Sequence, residues 1–364
     1  MQLAFEKDRV TVNFVSEIGI RENEYTIKVY AKSAISAYDK TLIYTSDKMN
    51  IRPDKNGYFL DIDYWYYTRV AKHITTGNYL PSCIDFYFSI CVGEEENEIP
   101  NPYKVHFIRY LPELLAVSGY KQAKKLHSTW FCLPPEEDPD DITPQMEVLH
   151  FEKLLEISNS FRELYQENLD RVIVQISKSG ANTIKKSLKD KVQKAIKNND
   201  LKTEEFSLQP TFGTLETKIM NTEYGCIPVF DSYHFHEQPV LDDITLCIDD
   251  DIDGLLLKNC MLRVIAFGKV APTGTNTKIQ IEQLGFYLKD QYGFYEDKKE
   301  DIISYCEIID KEKVIFSNKP VIREESFLIT STNYYNYRKD HDMGGDFNWY
   351  SSIHLEEVSI EVIV

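Results

Sequence analysis

Hydrophobic and polar residues alternate with a period of two along several segments of the N-terminal third. Residues 10–14 and 25–30 follow this pattern, and residues 84–92 are rich in aromatic and β-branched side chains. Alternation of this kind is typical of strands with one buried face. The pair Asn56-Gly57 indicates a tight hairpin turn. We therefore predict a mostly antiparallel sheet or sandwich in this third of the chain.

The hydrophobic period changes in the middle of the chain. Apolar residues recur at steps of three to five over residues 154–176, which predicts a long amphipathic helix with a stop at Gly180. A second helix is predicted over 181–196, and the two form an αα-hairpin. Upstream, residues 111–126 have room for one further helix.

Strand patterns return in the C-terminal third. Residues 261–270 and 278–288 flank the turn residues 271–277, which predicts a long hairpin. We therefore predict a mainly β (α+β) fold: two antiparallel sheet-rich domains with an inserted amphipathic helical hairpin. The predicted parts are an N-terminal β-rich domain (1–115), a connector with the helical hairpin (116–205) and a C-terminal β-rich domain (206–364). Further strands are predicted over 313–316, 326–330 and 353–362.

Composition supports a folded, sheet-rich chain. Hydrophobic residues make up 43% and charged residues 27%, close to the averages for globular proteins, and aromatic residues reach 13%. The 41 basic and 58 acidic side chains give a net charge of −17, so nucleic acid is not expected as a partner. One segment departs from this balance, because residues 178–202 hold eight lysines and two aspartates. A solvated helix face, a protein partner and a membrane or nucleic acid are the three interpretations.

Metal and cofactor signals are weak. The seven cysteines are odd in number and show no CxxC spacing, so we predict reduced core thiols, no structural metal and no cofactor. Residues 249–254 begin like an EF-hand loop, but its twelfth position falls on Cys260 instead of a carboxylate. His234 and His236 would share one face of a strand, yet no third ligand is evident nearby.

The N-terminal residues contain no basic segment followed by an apolar one, and no apolar run is long enough to span a membrane. The sequence therefore predicts folding in a reducing cytoplasm, no secretory signal and no transmembrane segment. Motifs for phosphate-binding loops, zinc proteases, serine hydrolases and dinucleotide folds are also missing.

The segment 334–347 has the composition of a functional loop, because it combines cations, carboxylates, a histidine and a glycine pair with tyrosines. The predicted catalytic residues are His341, the group suited to proton transfer near neutral pH, and Asp346. A structural loop that leads into the last strand is the alternative. The predicted ligand-binding residues are Tyr334, Tyr335, Arg338, Lys339, Gly344 and Gly345.

Three strings resemble an uncharacterised bacterial domain family that is often encoded beside type VI secretion genes. Residues 279–294, which end in Leu-Lys-Asp-Gln-Tyr-Gly-Phe, are similar to its block of a strand, a Gly-aromatic pair and Lys-Asp-x-Tyr-x-Phe. The Gly-Gly-Asp-Phe of residues 344–347 and the Trp-Phe at the end of residues 127–131 resemble two further signatures. Residues 304–306 depart from the family pattern, which has Gly-Tyr/Phe-Trp there. The resemblance covers about residues 120–364.

The resemblance implies a role in antagonism between bacteria. The expected function is an antibacterial effector, delivered by a type VI or related contractile secretion system from the bacterial cytoplasm into a target cell without a signal peptide. The partners implied are a secretion spike, tube or adaptor protein and a cognate immunity protein. The alternative is a non-toxic protein-binding module, such as an immunity, adaptor or structural component. An ordinary cytosolic enzyme is a third expectation.

Overall fold

The computed structural model shows an α+β fold built on antiparallel sheets, as predicted. The chain divides into two compact units: unit 1 holds residues 1–131 and 294–344, and unit 2 holds residues 132–293 and 345–364. The described residues are 2–6, 9–13, 24–33, 39–45, 49–50, 62–75, 77–135, 138–180, 182–198, 201, 211–222, 225–240, 260–273, 276–294, 302–317 and 326–363.

The elements up to the helical hairpin alternate between strands and helices. In chain order they are β1 (Gln2–Glu6), β2 (Arg9–Asn13), β3 (Glu24–Ser33), β4 (Thr41–Thr45), β5 (Met49–Asn50), α1 (Tyr64–Ile74), β6 (Cys83–Val92), β7 (Glu95–Glu98), β8 (Tyr103–His106), α2 (Leu111–Val117), α3 (Lys121–Cys132), α4 (Phe151–Ile157), α5 (Asn159–Ser177) and α6 (Thr183–Asn198).

The remaining elements are strands, with one helix, α7, among them. They are β9 (Thr211–Phe212), β10 (Ile219–Thr222), β11 (Gly225–Pro228), β12 (His236–Pro239), β13 (Met261–Thr273), β14 (Asn276–Tyr292), β15 (Ile302–Ile308), β16 (Val314–Ser317), β17 (Ser326–Thr330), helix α7 (Ser331–His341), β18 (Phe347–Tyr350) and β19 (His354–Ile363).

Unit 1 contains two larger antiparallel sheets. In the first, β3 pairs with β4, β5 and β6, and β6 pairs with β7 and β8; in the second, β15 lies between β16 and β17. Phe107 stacks on Phe327 with a ring separation of 3.5 Å, and Tyr67 packs against both rings. The N-terminal strands therefore share a core with β17. The compact units divide the chain after residues 131, 293 and 344. The domain boundaries predicted at residues 115 and 205 stay predictions.

Unit 2 is organised around the β13–β14 hairpin. Strands β12 and β9 pair with β13, while β18 and β19 pair with β14, so one sheet holds six strands. Helix α5 packs on this sheet through Tyr165, whose ring centre lies 5.1 Å from that of Phe286. Helices α5 and α6 form the predicted αα-hairpin, and the predicted β13–β14 hairpin is confirmed.

Two helix predictions were wrong in detail, and one helix was not predicted. The helix predicted over 111–126 is divided into α2 and α3, because Gly119 adopts a left-handed conformation (φ 87°) that interrupts it. The long helix predicted from residue 154 is divided at Ser158, whose side chain caps α5 by accepting a hydrogen bond from the Phe161 amide. Helix α1 was not predicted, because the surrounding segments are strand-like.

A buried amide lies within the face that α5 turns toward the sheet. Asn168 is fully buried, and neither its Nδ2 nor its Oδ1 has a hydrogen-bond partner among the described residues. The helix is held on both sides of it, by the Tyr165–Phe286 contact and by a 3.0 Å hydrogen bond from Arg171 Nη1 to Gln238. An unpaired buried amide lowers stability by about 1–3 kcal/mol.

We expect Asn168→Leu to raise the free energy of unfolding by about 1 kcal/mol, because an apolar group of similar size removes the unpaired donor and acceptor. Urea denaturation measures this change. Gln193→Leu, at an exposed position of α6, is the control and should change stability by less than about 0.5 kcal/mol. A destabilised Asn168→Leu protein would contradict the expectation that the buried amide is unpaired.

Candidate functional site

The predicted loop over residues 334–347 is largely a helix, which corrects the sequence interpretation. Helix α7 begins with a capping box in which Thr330 and Asn333 each bond to the other's backbone. It ends at Asp342, which adopts a left-handed conformation with φ 52°. The segment lacks an apolar helical period because its buried face is made of tyrosines and an arginine, so the sequence pattern indicated a loop.

Several predicted ligand-binding residues lie inside unit 1. Tyr334 is fully buried and stacks on Phe294 with a ring separation of 3.6 Å, while Trp130 packs edge-on against both rings. Gly344 has a positive φ (104°), and a Cβ atom there would lie 2.3 Å from the Trp130 ring. We call Trp130, Phe294, Tyr334 and Gly344 the aromatic junction. Its four members come from the three strings that resemble the bacterial family and from α7.

The other predicted ligand-binding residues have varied surroundings. Arg338 is buried, donates from Nε to the Gly344 carbonyl at 2.7 Å and lies over the Trp130 ring. Lys339 is exposed and Tyr335 is partly buried. In unit 2, a Cβ atom at Gly345 would lie 2.4 Å from the Pro134 carbonyl oxygen, so this glycine permits close backbone packing.

The two predicted catalytic residues belong to different units. His341 ends α7 in unit 1, whereas Asp346 is in unit 2, where it is fully buried with its carboxyl group against Gly293. We therefore treat the surroundings of His341 separately from Asp346.

His341 belongs to a cluster of ionisable side chains from two elements of unit 1, β8 and α7. His106 of β8 lies 3.0 Å through Nε2 from Asp340 Oδ2, and Lys104 Nζ bonds the other carboxylate oxygen at 2.8 Å. The His341 ring packs edge-on against the His106 ring, with centres 5.3 Å apart. We call these four residues the imidazole cluster. The sequence pattern indicated His341 but gave no signal for Lys104, His106 or the role of Asp340.

The protonation states of the imidazole cluster follow from burial and charge. Burial, reinforced by the neighbouring His106, lowers the pKa of His341 to about 4. Burial also lowers the pKa of His106, despite the nearby carboxylate. For Asp340, burial is outweighed by the Lys104 hydrogen bond and the neighbouring His106, so its pKa is lowered. At neutral pH, the cluster therefore holds two neutral imidazoles, one carboxylate and one ammonium group.

Cys83 lies beside the cluster but does not complete a nucleophilic triad. Its Sγ is 3.7 Å from His106 Nε2, the same nitrogen that donates to Asp340. A thiol nucleophile needs one imidazole nitrogen as its base while the carboxylate holds the other. Burial also raises the pKa of Cys83 to about 12, so the group stays a thiol.

The prediction that the cysteines are reduced thiols in the core holds for only some of them. Six cysteines fall within the described ranges as free thiols: Cys91, Cys260 and Cys306 are buried, whereas Cys132 is exposed at the end of α3. Cys247 and the acidic segment 249–254 lie outside the described residues.

Unit 2 contains a buried carboxylate that the sequence analysis missed. Arg263 Nη1 donates to both oxygens of Asp231 at 2.8 Å, Tyr350 donates at 2.9 Å, and Tyr287 donates to the other oxygen. Asp231 keeps 2% of its surface exposed. Burial would raise its pKa, but Arg263 and the other donors hold it below the usual range. We call these four residues the aspartate network.

The aspartate network explains where His234 lies. The sequence pattern would place His234 and His236 on one face of a strand, but only His236 is in a strand, as the first residue of β12. The Nδ1 of His234 instead bonds the Asp231 backbone carbonyl at 2.6 Å. Every lone pair that Asp231 offers is engaged, and its pKa is depressed, so it is a poor proton acceptor. The aspartate network therefore stabilises unit 2 and does not offer acid–base chemistry.

Among the residues that the structure describes, no group of three histidine, cysteine or acidic side chains could hold a metal ion. In the same part of the chain, no helix is long and apolar enough to cross a membrane.

Comparison with known families covers both units. Residues 108–364 match the model of a family of unknown function, DUF6402. The chain belongs to this family. The DUF6402 segment contains the aromatic junction, the aspartate network, Asp340 and His341, whereas Lys104 and His106 precede it. No curated protein and no solved structure matches the chain.

Proposed function

We propose that this DUF6402 protein is an antibacterial effector, carried as cargo by a type VI or related contractile secretion system. We also propose that its toxicity depends on proton transfer at the imidazole cluster. The observation that carries the proposal is the pair of neutral imidazoles beside an ionised carboxylate, since Asp340 is 22% exposed and His341 is partly buried. A secretion spike, tube or adaptor protein and a cognate immunity protein are its proposed partners.

The cluster favours one class of chemistry. Asp340 accepts the Nε2–H of His106 and thereby fixes the tautomer of that ring. Burial lowers the pKa of His341 to about 4, so its ring is neutral at pH 7 but a weak base. Catalysis therefore requires a bound substrate to raise this pKa toward neutrality, so that His341 accepts a proton from water or a substrate hydroxyl. Because the Cys83 thiol is not activated, we propose general acid–base catalysis on a bound substrate without a covalent cysteine intermediate.

A non-toxic binding module is the second candidate. One observation favours it: Tyr334, Arg338 and Gly344, three of the residues expected to contact a ligand, are used in packing inside unit 1. In that case, the protein would act as an immunity, adaptor or structural component of the secretion apparatus through its surface.

We expect expression of the protein in bacteria to arrest growth in one compartment, the cytoplasm or the periplasm, and His341→Gln to restore growth. The amide keeps hydrogen-bonding capacity but does not accept a proton at neutral pH. Colony counts measure survival, with His73→Gln at an exposed position of α1 as the matched control. Survival of cells that express the unaltered protein in both compartments would refute the effector proposal. Persistent toxicity of folded His341→Gln protein would refute the role of the imidazole cluster.

A further inference from the structure

Helix α6 carries a strong local charge of opposite sign to the protein. Its 16 residues include six lysines and one aspartate, a net charge of +5, so the rest of the chain carries −22 against a total of −17. Its apolar residues Leu188, Val192 and Ala195 are buried in unit 2. The lysines therefore occupy the outward and flanking sides of the helix.

Four of these lysines have no ionic partner within the described structure. We call Lys186, Lys189, Lys194 and Lys197 the lysine face; three of them are exposed and Lys189 is partly buried. The remaining two bond main-chain carbonyl oxygens, Lys185 that of Lys178 and Lys191 that of Ser232. The chain has 58 acidic side chains, so lysines that lack an ionic partner among the described residues indicate that their charge is complementary to a group outside those residues.

The lysines of α6 destabilise the helix when no anionic partner is bound. Like charges three or four residues apart destabilise a helix, and the lysine face contains such pairs at Lys186/Lys189 and Lys194/Lys197. The first turn contains lysines and no acidic residue, which opposes the helix dipole. Burial lowers the pKa of Lys191, and repulsion from Lys194 lowers it further. An anionic partner would relieve this repulsion.

We infer that the lysine face is a docking surface for an acidic segment of a partner protein. A membrane fits poorly because Leu188, Val192 and Ala195 are buried and unable to insert, and the exposed Ile196 offers too little apolar surface for a membrane. A nucleic acid fits poorly because α6 has no arginine to grip phosphates bidentately and no aromatic side chain for base stacking.

The neighbouring helix supports a compact partner. Helix α5 exposes Glu163, Glu167 and Asp170, so a long polyanion that extended beyond α6 onto α5 would be repelled. An acidic segment of the partner that is as long as α6, about 24 Å, pairs with the lysine face. It does not extend onto the acidic residues that α5 exposes. The partner is therefore an acidic helix or loop that lies along α6.

The probe is a polyglutamate peptide of about seven residues, which in its extended, ionised form spans about the 24 Å of α6. We expect the full chain to bind it at low salt and Lys186→Gln/Lys194→Gln/Lys197→Gln to weaken binding about ten-fold, because surface charge dominates such contacts. The thermal midpoint should stay the same or rise, since like-charge repulsion is removed. Replacement of the same three lysines by arginine should retain binding. Isothermal titration and thermal melting measure the two quantities.

The matched control is Lys121→Gln/Lys124→Gln/Lys125→Gln, which removes three exposed lysines from α3 and should leave binding unchanged. Equal weakening by the control would overturn the inference, as would a chain that does not bind the peptide. Tighter binding of a duplex oligonucleotide or of phosphatidylglycerol vesicles would assign the surface to nucleic acid or membrane instead. None of these outcomes depends on toxicity, so the effector proposal stands or falls separately.

Discussion

Replacement of Asp231 by Asn should lower the free energy of unfolding by about 3–5 kcal/mol, the cost expected when one partner of a buried ion pair is removed. The change leaves the Arg263 guanidinium, of whose side chain 13% is exposed, without its buried charged partner and with only the more exposed Glu237 carboxylate beside it. Tyr287 and Tyr350 each donate a hydroxyl hydrogen bond to a different carboxylate oxygen of Asp231, and the amide keeps only one of these two acceptors. Guanidinium denaturation followed by fluorescence measures the loss.

Glu237 offers a matched control for the Asp231 prediction. Its carboxylate bonds the same Arg263 at 2.8 Å, but 42% of its side chain is exposed. Because exposed ion pairs contribute about 0–1 kcal/mol, Glu237→Gln should change stability little. A small effect of Asp231→Asn, equal to that of Glu237→Gln, would show that the aspartate network is not a stabilising centre of unit 2.

Asp290→Asn should stabilise the protein at pH 8 and have little effect near pH 4. Asp290 of β14 lies directly opposite Trp349 of β18 and accepts a 2.7 Å hydrogen bond from the Gln291 amide. Burial raises its pKa from the ordinary value of 3.8 to about 7. This change corresponds to about 4 kcal/mol, and the partial exposure of the residue reduces it, so we expect a gain of about 2 kcal/mol.

The sign of this pH dependence follows from the two protonation states. Above pH 3.8 the unfolded chain ionises Asp290 while the folded protein keeps it protonated until about pH 7, so its contribution to stability falls across this window. The neutral amide removes that penalty. Urea denaturation of both proteins from pH 4 to pH 8 measures the difference, with Asp170→Asn at an exposed site as control. A pH-independent difference would show that Asp290 titrates normally.

Local patterns predicted the regular elements because the relevant information lies within a few neighbouring residues. Alternation over residues 25–30 and the aromatic and β-branched residues of 84–92 predicted β3 and β6, which pair with each other. The apolar steps after residue 150 predicted the helical hairpin of α5 and α6. Local capping signals decided where the helices begin. Ser158 caps the N-terminus of α5 and thereby divides the long helix predicted from residue 154 into α4 and α5.

Only tertiary contacts decided the identity of α7 and its buried face. Tyr334, Tyr337 and Arg338 count as polar or amphipathic in a sequence pattern, yet they are buried among Trp130 and Phe131 of α3. Aromatic rings with polar tips are able to form a core when their hydroxyl groups find partners, and Tyr334 bonds His127 at 2.7 Å. A helix of this kind has no apolar period to detect.

The sequence by itself determined the strand and helix content, the acidic balance and the lysine-rich helix, because these depend on local order and composition. The tertiary structure decided which charges meet. Asp231, Arg263 and Tyr350 are far apart in the chain and converge only when the sheet of unit 2 forms. His106 likewise meets Asp340 across 234 positions. Ionisation depends on burial and on such long-range partners, so the chemistry of both clusters is a property of the folded protein.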